Sequence, residues 1–219
     1  MSSFEKTNLN RVKRIPKRGH YDKATIYPII DAALICHVGL VHEGQPIVIP
    51  TIHARLQDNI IIHGASTSRL MNNSGGGNAI CITITHLDGL VLARSAFHHS
   101  MNYRSAVIYG QGEIILDHDE KMAALEAITE KLVPGRWNDV RQPSTKELKA
   151  TNVVKIPIDL ASAKIRTGPP GDDKPDYNLD VWAGVMPMRT VFGKIEPDPA
   201  LKKGIEVPDY IMEYALIKK

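Results

Sequence analysis

The sequence predicts a mainly β fold with flanking α-helices, built around a six-stranded antiparallel barrel. Six runs rich in β-branched and apolar residues fall between residues 34 and 116, and tight turns connect the first three. The best amphipathic helix pattern comes only after these runs, at residues 119–132. Because helices do not alternate with strands, the pattern excludes a doubly wound parallel sheet.

The first half of the chain contributes one helix and then the strands. Asp22 is a suitable N-cap for a short helix that ends near Ala32, although Pro28 lies within it. The strand-like runs follow at residues 34–42, 46–55, 60–63, 78–86, 89–96 and 103–116. A short helix is expected at residues 69–71, before the triple glycine 75–77. Gly110 and Gly112 predict a bulge or sharp bend in the sixth run.

The second half adds helices around these strands. The helix over residues 119–132 begins with acidic residues and carries apolar residues on one face. The remaining expected elements are a helix at 145–151, a strand at 153–166, a loop at 167–180, a strand at 182–195 and a helix at 208–217.

Composition and charge are those of an ordinary globular protein. The chain has 219 residues, of which 43% are hydrophobic and 23% charged, and its net charge of +3 is too balanced to indicate a nucleic-acid or anionic-membrane partner. We expect a basic N-terminal arm at residues 1–18, one domain at 19–196, and a C-terminal tail with a short helix at 197–219. The basic cluster at residues 11–18 is either a solvated arm or a contact for an anion or partner.

The sequence also predicts a cytoplasmic protein. Cys36 and Cys81 lie inside apolar runs, which indicates buried thiols in a reducing compartment. The N-terminus lacks the apolar segment of a signal peptide, and no apolar run approaches the roughly 20 residues that span a bilayer. We therefore expect no membrane partner.

Residues 60–70, IIIHGASTSRL, are the most informative stretch for function. A strand leads to Gly64, and three hydroxyl residues precede Arg69 at an expected helix start. Hydroxyls, free backbone N–H groups and a guanidinium suit a terminal phosphate. An ordinary serine N-cap beside a surface arginine explains the same spacing, so both interpretations stay open.

Three further stretches carry candidate binding residues. Pro50 cannot donate to a ladder, so Pro50 and Thr51 indicate an edge or bend in the second run. Tyr103, Arg104 and Ser105 begin the sixth run, and Trp182 follows the polar loop. The nine histidines show no HExxH or other ligand spacing, so no metal site is expected.

In this order the stretches resemble the FMN-binding split-barrel superfamily, and within it the pyridoxamine 5′-phosphate oxidase-like branch. The motifs that carry the resemblance lie between Gly19 and Arg189 and include IVIPTIHAR, IIIHGASTSR, SMNYRSAVIYGQG and VWAGVMPMR. The resemblance implies a six-stranded split barrel over residues 19–196, FMN as the cofactor, and a homodimer with the cofactor at its interface.

The resemblance also implies roles for individual residues. Ser68 and Arg69 would grip the FMN phosphate. The other implied cofactor-binding residues are His63, Gly64 and Ala65 along the ring and ribityl chain, Pro50 and Thr51 at the polar edge of the ring, Tyr103, Arg104 and Ser105 near the flavin, and Trp182 and Arg189 across the dimer interface.

The function implied is an FMN-dependent oxidoreductase that acts on an unknown small molecule, without an assigned catalytic residue. The C-terminal arginine-histidine motif of true pyridoxamine-phosphate oxidases is absent, so vitamin B6 oxidation is not expected. Two alternatives remain: a flavin carrier without turnover, and a haem-binding split barrel that uses one of the histidines.

Overall fold

Alternating apolar residues place most of the chain in strands, which form one antiparallel sheet of nine strands in the computed structural model of residues 2–217. The strands are β1 (Gly19–His20), β2 (Ile35–His42), β3 (Gln45–Leu56), β4 (Asn59–Ala65), β5 (Gly76–Leu92), β6 (Ser100–Ile114), β7 (Thr151–Pro157), β8 (Leu160–Arg166) and β9 (Gly184–Pro187). The helices are α1 (Lys23–Ala32), α2 (Arg69–Ser74), α3 (His118–Leu132), α4 (Thr145–Ala150) and α5 (Asp209–Ile217). Among residues 2–217, no helix has the length and apolar character needed to cross a membrane.

Six of the nine strands are linked by pairings that return to their starting point. In order around this ring, β6 pairs with β7, then β4, β3, β2 and β5 follow, and β5 pairs again with β6. Strands β8 and β1 extend the sheet outward from β6, and β9 extends it from β5. The sequence predicted a six-stranded barrel, and the nine strands of this sheet correct that count. Of the three outer strands, β8 and β9 lie within the strands expected at 153–166 and 182–195, and only β1 was not expected.

Two strand boundaries also differ from the sequence prediction. Residues 76–92 form a single strand because the register shift between Leu87 and Gly89 is a bulge, not a turn. Residues 151–166 form two strands, since Pro157 lacks a donor for the ladder and the Ile158 N–H turns to the Asp58 carbonyl, 2.8 Å away.

Helices α1 and α2 pack at opposite ends of the ring. Asp22 caps α1 as predicted, accepting a hydrogen bond from the Thr25 N–H at 2.8 Å. Ile26 and Ile30 of α1 are fully buried in the ring interior, where each contributes roughly 1.5–3 kcal/mol of hydrophobic stabilisation. At the other end, a Cβ at Gly112 would lie only 2.4 Å from the Ser74 carbonyl oxygen of α2, so the strand needs glycine there.

Helix α3 covers the outer face of the sheet instead of the ring interior. Its Ala124 and Ile128 are buried against Ile61 of β4 and Val153 of β7. Since successive strand residues point to opposite faces, His63 lies on the same outer face as Ile61. This face is where α3 and α4 form one wall of a small cavity.

Strands β3 and β4 separate beyond their shared turn. They pair from Leu56 and Asn59 up to His53 and Ile62. Beyond that point β3 pairs only with β2, through residues 45–52, and β4 pairs only with β7, through residues 63–65. Among the described residues no pairing closes this opening, which we call the β3–β4 gap.

The two ends of the chain pack differently. In the N-terminal arm Phe4 is buried, and the buried Asn10 donates from Nδ2 to the Ala161 carbonyl at 3.0 Å. After β9 every residue from 188 to 206 is exposed. The chain then returns through α5, whose Tyr210 hydroxyl donates to Asp139 Oδ2 at 2.7 Å.

Candidate functional site

The β3–β4 gap brings together two of the predicted binding motifs. Pro50 and Thr51 lie on its β3 side, and His63, Gly64 and Ala65 lie on its β4 side. Gly64 packs closely against α2, since an added Cβ would lie 3.2 Å from Met71 Cγ and the methionine side chain would have to shift. The gap therefore has unpaired strand edges on both sides and predicted ligand-binding residues along them.

His63 lines a cavity of about 310 Å³ beside the gap. Leu125, Leu148 and Thr151 form part of its wall, together with the Arg141–Glu147 ion pair. The His63 Nδ1 atom is buried and has no hydrogen-bond partner among the described residues. Burial lowers the pKa of His63 below its ordinary value, so the ring is neutral near pH 7. A neutral ring with an unpartnered buried nitrogen suits a hydrogen bond to a ligand.

Ser68 and Arg69 follow the gap at the start of α2. Ser68 occupies the N-cap position of α2, but its side chain makes no capping hydrogen bond. In residues 2–217 neither the Ser68 hydroxyl nor the exposed Arg69 guanidinium has a hydrogen-bond or ion-pair partner. The ordinary N-cap interpretation does not describe this serine, and both groups are available to a phosphate.

The other predicted residues lie at the opposite end of the ring. Tyr103, Arg104 and Ser105 begin β6, whereas Gly112 near its end contacts α2. Nine residues of strand separate Tyr103 from Gly112, which is about 30 Å at the usual rise. Trp182 and Arg189 flank β9 and are exposed, Trp182 at 68%. One chain therefore does not bring Arg69 and Arg104 to the same ligand.

A second, larger cavity was missed by the motif analysis. It measures about 840 Å³, and we call it the basic cavity because its wall includes five cationic residues: Arg14, Lys17, Arg18, Lys164 and Arg166. Of the predicted binding residues only Tyr103 lines it. The signal for it was present in the basic cluster at residues 11–18, but nothing in the sequence shows that β8 contributes the remaining cations.

The comparisons with known proteins agree with this architecture. The family model described as pyridoxamine 5′-phosphate oxidase matches residues 22–165. No protein of curated function matches the chain in sequence.

Two solved structures are similar over nearly the whole chain. The flavocytochrome Anf3 from Azotobacter vinelandii is 39% identical, with a TM-score of 0.90 over 94% of this chain and 96% of that one. The FAD and haem binding protein from Mycobacterium smegmatis is 32% identical, with a TM-score of 0.87 over 90% of this chain and 97% of that one.

A third structure is similar over a smaller part. A candidate 5-nitroimidazole antibiotic resistance protein from Bacteroides thetaiotaomicron is 28% identical, with a TM-score of 0.54 over 66% of this chain and 84% of that one.

Proposed function

This chain belongs to the pyridoxamine 5′-phosphate oxidase family, and from that premise we propose that it is a flavin-dependent redox protein. The bound group is FMN, or the FMN half of FAD, in a six-stranded split barrel formed by the ring of β2 to β7. The observation that carries the proposal is the β3–β4 gap, because two separately predicted motifs face each other across it.

The residues around the gap fit a flavin in both shape and polarity. Ser68 and Arg69 supply an unpaired hydroxyl and guanidinium for the phosphate. The unpartnered Nδ1 of His63 and the unpaired backbone groups of β3 and β4 suit the alternating donors and acceptors of the ring edge. Bound there, the flavin would supply hydride or electron transfer, while the protein orients it and sets the polarity around it.

We further propose that the site is completed by a second copy of this chain. Arg104 and Trp182 lie at the opposite end of the ring from Arg69, so they can reach the same flavin only from a partner subunit. The outer face of β2, β3 and β5 exposes a patch that a partner would cover, including Ile35, Val41 and Val48, exposed at 52–65%. The exposed segment 188–206 is suited to lie across the same partner.

Haem is a second candidate ligand, and a specific observation favours it. The two structures that cover at least 90% of this chain are described as a flavocytochrome and as a FAD and haem binding protein.

The decisive experiment is the absorption spectrum and the mass of the cofactor extracted from protein purified without added flavin. We expect flavin bands, and the mass distinguishes FMN from FAD. Protein that is colourless, and that does not quench flavin fluorescence on titration with FMN or FAD, would contradict the proposal.

Anaerobic reduction separates an oxidoreductase from a carrier. We expect bleaching of the bound flavin by a chemical reductant and its return on exposure to oxygen. A flavin that stays oxidised with every donor would leave binding intact and favour the carrier function instead.

A further inference from the structure

About half of the residues that line the basic cavity lie outside the part of the chain that matches the family model. Arg14, Lys17 and Arg18 come from the N-terminal arm, and Arg166 to Gly171 follow residue 165. The flavin-binding residues around the β3–β4 gap lie at the other end of the ring. A site built from the flanking segments therefore needs its own explanation.

The charge of this cavity is unbalanced within the described part of the chain. None of the residues that line it is acidic, while five are cationic. Two carboxylates follow the lining residue Gly171 in the chain, and neither pairs with these five cations: Asp172 pairs with Arg94 at 3.2 Å, and Asp173 lies 3.3 Å from His98 at the cavity wall. A cavity lined by charges of one sign attracts and concentrates ions of the opposite sign, so this cavity fits a ligand with more than one negative group.

Arg166 makes the site more than a basic surface. Arg166 is buried, with a relative exposure of 7%. Its guanidinium donates hydrogen bonds to the Asn102 side chain and to the Gly168 and Pro169 carbonyls, the last two at 3.2 and 3.1 Å. Its Nε atom is buried without a partner among residues 2–217. A buried cation that lacks a carboxylate leaves free energy to be gained from an anionic ligand.

Part of the remaining wall is apolar or aromatic. Ile15, Phe97, Tyr103, Ile165 and Pro169 line the cavity, and Phe97 is 89% exposed. The volume of about 840 Å³ falls within the range of roughly 300–1,000 Å³ found for cofactor sites. A flat apolar ring system that carries carboxylates would pack against the apolar residues and pair its carboxylates with the cationic residues.

His99 lines this cavity with an exposed ring. Its Nδ1 lies 2.9 Å from the Ser95 carbonyl oxygen, and a carbonyl only accepts, so Nδ1 carries the proton. The unprotonated Nε2 has no partner among the described residues. Metal-binding histidines are usually oriented in this way, by donation of the second ring nitrogen to a carbonyl or carboxylate. His98 differs, because its Nε2 faces Asp173.

We propose that the basic cavity is a haem site, with His99 Nε2 as the axial ligand and the cations of the wall as partners of the two propionates. This inference rests on the proposed function, since it locates the haem that would accompany the flavin. It assigns the two groups to separate sites, so each can be lost without the other.

The test measures haem and flavin separately in purified protein. Apoprotein is titrated with haemin and with iron-free protoporphyrin IX, and the Soret band and bound flavin are recorded for wild type, His99→Ala, His98→Ala and the matched control His118→Ala. His118 begins α3, is 71% exposed in its side chain and lies outside the cavity.

We expect His99→Ala to abolish the histidine-ligated Soret spectrum and to weaken haemin binding at least 10-fold, with porphyrin binding and flavin content unchanged. His98→Ala and His118→Ala should keep the ligated spectrum. Lys17→Gln combined with Arg18→Gln should weaken both haemin and porphyrin about 10-fold or more, because propionate contacts do not need iron.

An unchanged Soret spectrum in His99→Ala would overturn the assignment of the ligand. Unchanged haemin and porphyrin affinity in the Lys17/Arg18 double variant would overturn the cavity itself. Wild-type protein that holds flavin but takes up no haemin would refute this inference and leave the proposed flavin function standing. Failure of the flavin function would instead appear in the separate measurement of bound flavin.

Discussion

Asp88 and Arg104 form a bidentate ion pair at the bulge of β5, with Arg104 Nε 2.9 Å from Oδ2 and Nη2 2.8 Å from Oδ1. The pair lowers the pKa of Asp88 and raises that of Arg104, each mainly through these side-chain hydrogen bonds. Asp88 has no opposing residue on β6, because the register passes from Leu87 to Gly89. The bulge thereby orients a guanidinium whose Nη1 remains without a partner among the described residues.

This pair predicts how Arg104 would contribute to flavin binding. Arg104→Gln should weaken flavin affinity about 10-fold, the usual effect of losing one hydrogen bond to a charged group. Asp88→Asn should act in the same direction but less, because the guanidinium stays and only its orientation is lost. Fluorescence titration measures both, with Arg136→Gln as the control near α5. Equal affinity in all three variants would remove Arg104 from the site.

Arg69 is expected to be the stronger contact. Arg69→Ala should weaken flavin affinity about 30- to 150-fold, roughly 2–3 kcal/mol, because a charge-assisted contact to phosphate is lost. Ser68→Ala should cost about 1 kcal/mol, near 5-fold. Lys146→Ala on the exposed face of α4 is the matched control for charge. The same titration applies, and an unaffected Arg69→Ala protein would place the phosphate elsewhere.

His53 predicts a loss of stability in acid. It is fully buried, and burial lowers its pKa to about 4, although its Nε2 donates to the Ile30 carbonyl at 3.1 Å. The unfolded ring has its ordinary pKa near 6.5, so between these values only the unfolded state is protonated. Stability is therefore full above pH 6.5 and falls by about 3 kcal/mol as the pH drops to 4.

Urea unfolding at pH 7 and pH 5 measures this dependence. We expect His53→Gln to flatten the change between the two pH values, while His118→Gln leaves it as in wild type. An equally steep change in His53→Gln would assign the acid sensitivity to other groups, of which half-buried His63 is the next in line.

Gly112 predicts a packing limit where β6 meets α2. An added Cβ would lie 2.4 Å from the Ser74 carbonyl oxygen and 2.7 Å from Val154 Cγ1. Gly112→Ala should therefore lower the free energy of unfolding by about 1–3 kcal/mol, the usual cost of overpacking. Gly193→Ala, which meets nothing within 4 Å, should change it little. Thermal unfolding of both variants is the measurement.

The exposed outer face of β2, β3 and β5 is the surface through which we expect two copies of the chain to associate. Val48 is 65% exposed beside Gly39, whose missing side chain leaves the centre of this face flat. If the proposed dimer forms through this face, Val48→Asp should convert it to a monomer that still folds, because a buried unpaired charge is costly at an interface. Leu116→Asp, at a residue 89% exposed away from this face, should remain dimeric. Light scattering measures the molecular masses. A dimeric Val48→Asp protein would show that the interface lies on another surface.

Local patterns in the sequence were enough to predict most helices and the strands of the ring. The Asp22 cap, the turns at residues 43–44 and 57–58 and the apolar face of α3 are local signals, and the structure confirms those elements. Two boundaries were wrong for local reasons as well. Asp88-Gly89 reads as a turn in sequence, but contact of Gly89 with β9 makes it a bulge, since an added Cβ would lie 3.0 Å from the Met186 carbonyl oxygen.

The site was predictable only in pieces. The motifs around Pro50 and His63 were identified separately, but their position across an open gap follows from which strands stop pairing, which no local pattern reports. Arg18 and Arg166 are 148 residues apart in the chain, and β8 brings them to one cavity. Periodicity and motif spacing are local signals, so they do not predict which distant segments pair with each other.

The divergence of β3 from β4 has a further consequence for the behaviour of the free chain. An unpaired strand edge is a template on which another chain can add a strand and begin to aggregate. Pro46 and Pro50 are four residues apart, so both remove N–H donors from the same side of β3. The β3–β4 gap, which we propose as the flavin site, is thus protected against intermolecular strand addition even in the ligand-free chain.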